Sequence, residues 1–228
     1  KNIAVMVENK TELAGLSDAQ ITSAANTANE AGHSGKYLLN LTNTTRQPLL
    51  SQLSNRDLRQ RIWLASANRN QSSDTDNRPI VARLAQLRAE RARLLGYDSW
   101  ASYGLESQMA KKPEAVFAML GSMVPAVVAN TKQEAAAIQA MIEQQGESFK
   151  LQPWDWEYYA ELVRQAKFDL DENEVKQYFE FDRVLQDGVF YTFNRLFGIR
   201  FEPRPDLPTY HPDVKAYELF DADGSSLA

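Results

Sequence analysis

Apolar positions along this chain recur mostly three and four residues apart, the spacing that lines one face of a helix. Ile80, Leu84, Leu87 and Leu94 or Leu95 keep that spacing between Pro79, suited to a first helical position, and Gly96, suited to a stop. The spacing returns from Pro113 to Gly146. Pro125 falls inside that stretch, and a kink or break is expected there because proline has no N–H and its ring meets the preceding turn. Ser17 and Gln20 form a capping box for a helix that Gly32 closes. Ser54 or Asn55 opens another that runs to about Arg69. Asp155 is placed to cap 156-WEYYAELVRQAK-167, and Asp171 with Glu174 forms a second capping box. Asp182 is expected to cap a helix ending at Gly198, with Val184, Leu185, Phe190, Phe193 and Leu196 or Phe197 as its apolar face.

Two stretches read as strands: 36-KYLLNLTN-43, and 214-VKAYELF-220 after the proline-rich 203-PRPDLP-208. The second runs into 221-DADG-224, a tight hairpin turn, with only Ser225 to Ala228 left for a partner strand. The pattern predicts a mainly α chain with a small β element, one helical unit over 1–228 with a possible sub-boundary in the polar stretch 70–78. An incomplete hairpin and a first residue Lys1 in place of Met lead to the expectation that both ends lie inside a longer polypeptide. No fixed-period repeat occurs.

Composition narrows the function classes. The chain is 43% hydrophobic and 24% charged, ordinary for a globular protein. Its formal net charge is -5 and no basic stripe interleaves with aromatics, so nucleic acid is not an expected partner. No apolar run is read as approaching the ~20 residues that span a bilayer, so neither is a membrane. The absence of Cys excludes disulfides, thiolate metal sites and a Cys nucleophile.

Candidate chemistry is sparse. His33 and His211 are the only histidines, and the H-E-x-x-H arrangement that puts two imidazoles on one helical face is absent. The string 221-DADGS-225 looks like the start of a calcium loop but reads better as a turn. There is no G-x-S-x-G elbow and no glycine-rich phosphate loop. The aromatic run 154-WDWEYY-159 is read as core packing. The arginines of 56-RDLRQR-61 are read as a solvated helix face, with Ile62 and Trp63 starting its buried side. No self-sufficient catalytic constellation is read from these residues, and no catalytic group or metal ligand is assigned among them.

Several stretches, in order, carry a family resemblance: 12-ELAGLSDA-19, 37-YLLNLTNTTRQPLL-50, 55-NRDLRQRIWLASANR-69, 87-LRAERARLLGYDSWASYGLESQMA-110, 153-PWDWEYYAE-161, 178-YFEFDRVLQDGVF-190, 195-RLFGI-199 and 210-YHPDVKAYEL-219. Together they resemble the thimet oligopeptidase family of zinc metallopeptidases, most of all its bacterial peptidyl-dipeptidase (dipeptidyl carboxypeptidase) branch. Tyr210 stands where the family often has Trp. The resemblance implies a large, mainly helical enzyme that takes short peptides and removes C-terminal dipeptides. It implies zinc in the full-length enzyme, bound by a motif downstream of these residues, and none bound to this chain, which is expected to be inactive alone. An endopeptidase like oligopeptidase A and a stand-alone helical binding module are the alternatives. Trp154, Asp155, Tyr158, Tyr159, His211, Pro212 and Asp213 match the family and are read as scaffold signatures. Self-association through exposed apolar surface is expected of the chain alone. Cytoplasm is the expected compartment, with periplasm the alternative.

Overall fold

The computed structural model describes residues 3–42, 46–71, 75–169 and 172–228. It is mainly helical with two small antiparallel sheets, as the apolar spacing predicts. The chain divides into two compact units, Lys1–Phe168 and Asp169–Ala228.

The first unit opens with strand β1, Ala4–Val7, whose partner β2, Tyr37–Asn40, comes after helix α1, Asp18–Glu30. Val5 lies opposite Leu39 and Met6 opposite Leu38. Alternation along β1 turns Val5 and Val7 inward. Ser17 caps α1 as expected, its hydroxyl accepting from Gln20 N while Gln20 Oε1 accepts from Ser17 N at 2.9 Å. Helices α2, Arg46–Gln52, and α3, Arg56–Ala67, complete this half of the unit. Asn55, one of the two candidates, caps α3 by accepting from Leu58 N at 2.9 Å. Leu13, Leu39, Leu50, Leu53, Leu58 and Ile62 form the main core with the inward strand residues. Gly15 permits the turn before α1: its φ is +102°, and a Cβ there would sit 2.0 Å from Gln52 O.

Helices α4, Arg78–Leu94, α5, Trp100–Leu105, α6, Pro113–Gln144, and α7, Trp156–Phe168, follow. A second, smaller core joins α6 to α7 through Ile138, Ile142 and Tyr159, with Trp156, Tyr158 and Leu162 packed at its edge. The expected break at Pro125 is absent, and α6 continues through it for 32 residues. Residue 121, whose carbonyl the proline ring approaches, is glycine. One sequence expectation is corrected here. α6 contains an 18-residue window of mean hydropathy 1.3, so by length and apolarity this helix could cross a membrane. Interspersed Ala, Gly, Ser and Asn disguise the run in the sequence. The helical stripe of α4 also stays uncovered, with Ile80 63% and Leu94 87% exposed.

The second unit begins with α8, Glu172–Lys176, and a 3₁₀ turn, Gln177–Phe179. A continuous helical stretch follows: α9, Phe181–Arg183, a π-helical segment, Val184–Phe190, and α10, Tyr191–Phe197. Its cap is Glu180, not Asp182. Glu180 is extended, and its carboxylate accepts from Asp182 N at 3.1 Å and Arg183 N at 2.7 Å, while the Asp182 carboxylate is drawn away to Lys215 Nζ. The proposed cap at Asp171 lies outside the described residues. Gly198 ends the helix at φ +75°, as expected. Strand β3, Arg200–Pro203, pairs with β4, Tyr217–Phe220, Phe201 opposite Leu219. The predicted hairpin turn forms: Gly224 N donates to Asp221 O at 3.0 Å, and Leu227 N donates back to Leu219 O at 2.8 Å. The stretch 214–216 precedes β4 without joining it.

Candidate functional site

Polar and aromatic groups converge where α3 meets the start of α7. Asp155, immediately before α7, is fully buried, and so is Arg59 on α3, at 1% exposure. Arg56, one helical turn before Arg59, grips the Asp155 carboxylate in a fork, Nε to Oδ1 at 3.0 Å and Nη2 to Oδ2 at 2.9 Å. Arg59 Nη2 reaches Oδ1 at 3.2 Å. Gln152 N donates to Oδ2 at 3.2 Å, so both carboxylate oxygens are shared between donors. The rest of the Arg59 guanidinium donates to three carbonyls, Trp154 O at 3.2 Å, Leu53 O at 2.9 Å and Ser54 O at 3.0 Å.

Aromatic rings wall the cluster. The Arg56 guanidinium lies 3.9 Å from the Phe149 ring centroid and that of Arg59 lies 4.3 Å from Tyr158. Trp63 meets Trp154 edge-on at 6.1 Å. Bonding to Asp155 holds the Arg56 pKa above its ordinary value, and burial raises that of Tyr159. Trp154 Nε1 is buried without a hydrogen-bond partner among the described residues.

The reading of 56-RDLRQR-61 as a solvated face is therefore corrected. Arg59 shares its face with Ile62 and Trp63, three and four residues on, and it is buried because a carboxylate and three carbonyls await it. The reading of 154-WDWEYY-159 as packing agrees with Tyr159 in the second core and Trp156 and Tyr158 at its edge. Trp154, Asp155, Tyr158 and Tyr159 are thus brought together. Its bonds tie the start of α7 to α3.

His211, Pro212 and Asp213 sit in the second unit, on the exposed loop between β3 and β4. His211 Nδ1 accepts from Asp213 N at 3.3 Å and lies 3.6 Å from the Asp213 carboxylate. Pro212 lines a shallow cavity of about 310 Å³ with Arg204, Leu207 and Tyr217. His33 occupies the turn after α1, its N–H bonded to Ala28 O at 2.8 Å. Among the described residues no three His, Cys, Asp or Glu side chains converge as a metal site.

Comparison with known proteins places this scaffold. Peptidase family M3 matches residues 49–227, which include α3, the whole arginine–aspartate clamp and the histidine loop.

The chain belongs to peptidase family M3.

Dipeptidyl carboxypeptidase of Escherichia coli is 44% identical to this M3 chain over all of its length, and that of Salmonella typhimurium 43% identical over 95%. Oligopeptidase A of Escherichia coli is 28% identical over 95% of the chain. The M3 chain spans about a third of the length of these relatives, 34%, 32% and 32% respectively.

Proposed function

We propose that these residues are the non-catalytic scaffold of a zinc metallopeptidase that removes dipeptides from the free C-terminus of short peptides. One observation carries the reading: identity to dipeptidyl carboxypeptidase is 44% across the chain, against 28% to oligopeptidase A. The zinc ligands and the general base belong, on this proposal, to residues outside 1–228. The part played by this chain is mechanical. The Arg56–Arg59–Asp155 clamp fixes α3 to the start of α7, and α7 in turn packs on α6.

The second reading, an oligopeptidase A-like endopeptidase, rests on the match to that enzyme over 95% of the chain. End-blocking separates the two. The full-length protein is given a pair of peptides identical except for a free or amidated C-terminus. Cleavage of the free form alone, releasing dipeptides, is the expected result. Equal cleavage of the amidated form would replace the first reading by the second.

A further inference from the structure

We propose that the first part of α6, Pro113–Thr131, is the inner helix of a helical layer completed on two sides by other helices of the same polypeptide, outside residues 1–228. This inference rests on the reading of the chain as part of a longer protein, which the relatives' greater length supports.

Residues 115–131 contain no charged side chain. Phe117, Leu120, Val124, Val127 and Val128 follow one another on one side, and Ala118, Ser122, Pro125 and Ala129 on the other. A helix that borders water on one side carries polar residues there, and this stretch has no such side. Yet Phe117 is 72% exposed, Leu120 46%, Val124 54% and Val127 55%.

The same helix supplies its own control. Past Thr131 it turns amphipathic: Lys132, Glu134 and Glu143 return, and Ile138 and Ile142 are buried against α7. Where the chain provides one partner, the helix has one apolar face. Past its first turn, which meets α5, the chain leaves the helix uncovered, and there both sides are apolar, one bulky and one small. The occupant that fits is a pair of apolar helix faces, with the small side permitting close approach.

Two other occupants fit less well. A second copy packed through one self-complementary patch covers one side and leaves the other wet. A bilayer meets this helix only at the lower limit of a span: at ~1.5 Å per residue the uncharged residues 115–131 extend ~26 Å against a ~30 Å hydrocarbon core, with Pro125 in the middle.

Amide hydrogen exchange tests the proposal, comparing the full-length protein with chain 1–228 at several concentrations and with added phosphatidylcholine vesicles. Amides of 115–131 are expected to exchange ~100-fold or more slowly in the full-length protein, without vesicles and at every concentration. Val124→Lys on the bulky side and Ala118→Lys on the small side should each remove that protection or lower the melting temperature of the full-length protein. Neither should move the unfolding transition of chain 1–228. Equal exchange in the two proteins overturns the proposal. So does protection of chain 1–228 that climbs with concentration to the full-length level, which would make a second copy the cover. Protection gained only with vesicles overturns it in favour of a membrane. Peptide hydrolysis is read separately: a full-length protein that shields this stretch but cleaves nothing upholds the inference and removes the peptidase reading.

Discussion

Each unit owes its internal order to different means. The first has an interior: Leu13, Leu53, Leu58 and Ile62 are fully buried, and a buried carboxylate carries two guanidinium groups beside them. The second has no buried residue among those described; it is organised by half-covered rings, Phe190 stacked on Phe201 at 4.1 Å with Tyr217 edge-on at 4.9 Å, and by ion pairs at its surface. Apolar burial scales with the area removed from water, so the first unit carries most of the chain's own stability. The difference teaches that family membership extends over residues whose order has two sources: a core the chain closes itself, and contacts worth less each because water still reaches them.

The clamp gives the largest test of that contrast. Asp155→Ala leaves the Arg59 guanidinium buried without its counter-charge, and a loss of about 3–5 kcal/mol is expected in urea unfolding of the first unit. Replacing both partners with apolar residues, Arg59→Met with Asp155→Leu, should recover much of that loss, because the penalty lies in the unpaired charge. A small effect from Asp155→Ala would mean that the clamp is hydrated, which its 0% exposure speaks against.

Next is a matched pair of truncations. Ile62→Ala, at a fully buried site, should cost about 3 kcal/mol. Phe201→Ala removes a stacked ring that is only half covered and should cost about 1 kcal/mol. The first is read from the main unfolding transition, the second from faster exchange of β3 and β4 amides. Equal costs would erase the distinction between the units.

The smallest effect is on acidification. Paired hydrogen bonds from Arg204, at 2.8 and 2.7 Å, hold the Asp206 carboxyl down to about 2 in the second unit. Its unfolded value is near ~4. A depressed folded value means that the contribution is complete above the unfolded pKa and disappears as pH falls through the folded one, so the window is pH 4 to 2. Loop amides between β3 and β4 should exchange faster across that window, and Asp206→Asn should flatten the response.

What the sequence made legible was local. The Ser17–Gln20 box, the Asn55 cap, Gly198 and the turn at 221-DADG-224 each depend on residues within a few positions, and each forms. What escaped was set by distance along the chain. Strand β1 is four residues whose partner lies beyond a whole helix. Arg59 looked solvated because its carboxylate is 96 residues away, although its helical register with Ile62 pointed inward. Asp182 was a fair cap by type, but Lys215 competes for its carboxylate and Glu180 takes the helix start. The grouping of Trp154, Asp155, Tyr158 and Tyr159 was visible as a family signature, while the bonds from Arg56 and Arg59 to Asp155 were not, since they cross almost a hundred residues of chain.

On the function proposed above, these residues hold a peptidase together without supplying its chemistry. Zinc content and peptide hydrolysis, measured side by side on chain 1–228 and on the full-length protein, test it most directly. Stoichiometric zinc and chelator-sensitive release of dipeptides are expected from the full-length protein, with neither from chain 1–228. Tight zinc and chelator-sensitive cleavage by chain 1–228 itself would contradict it.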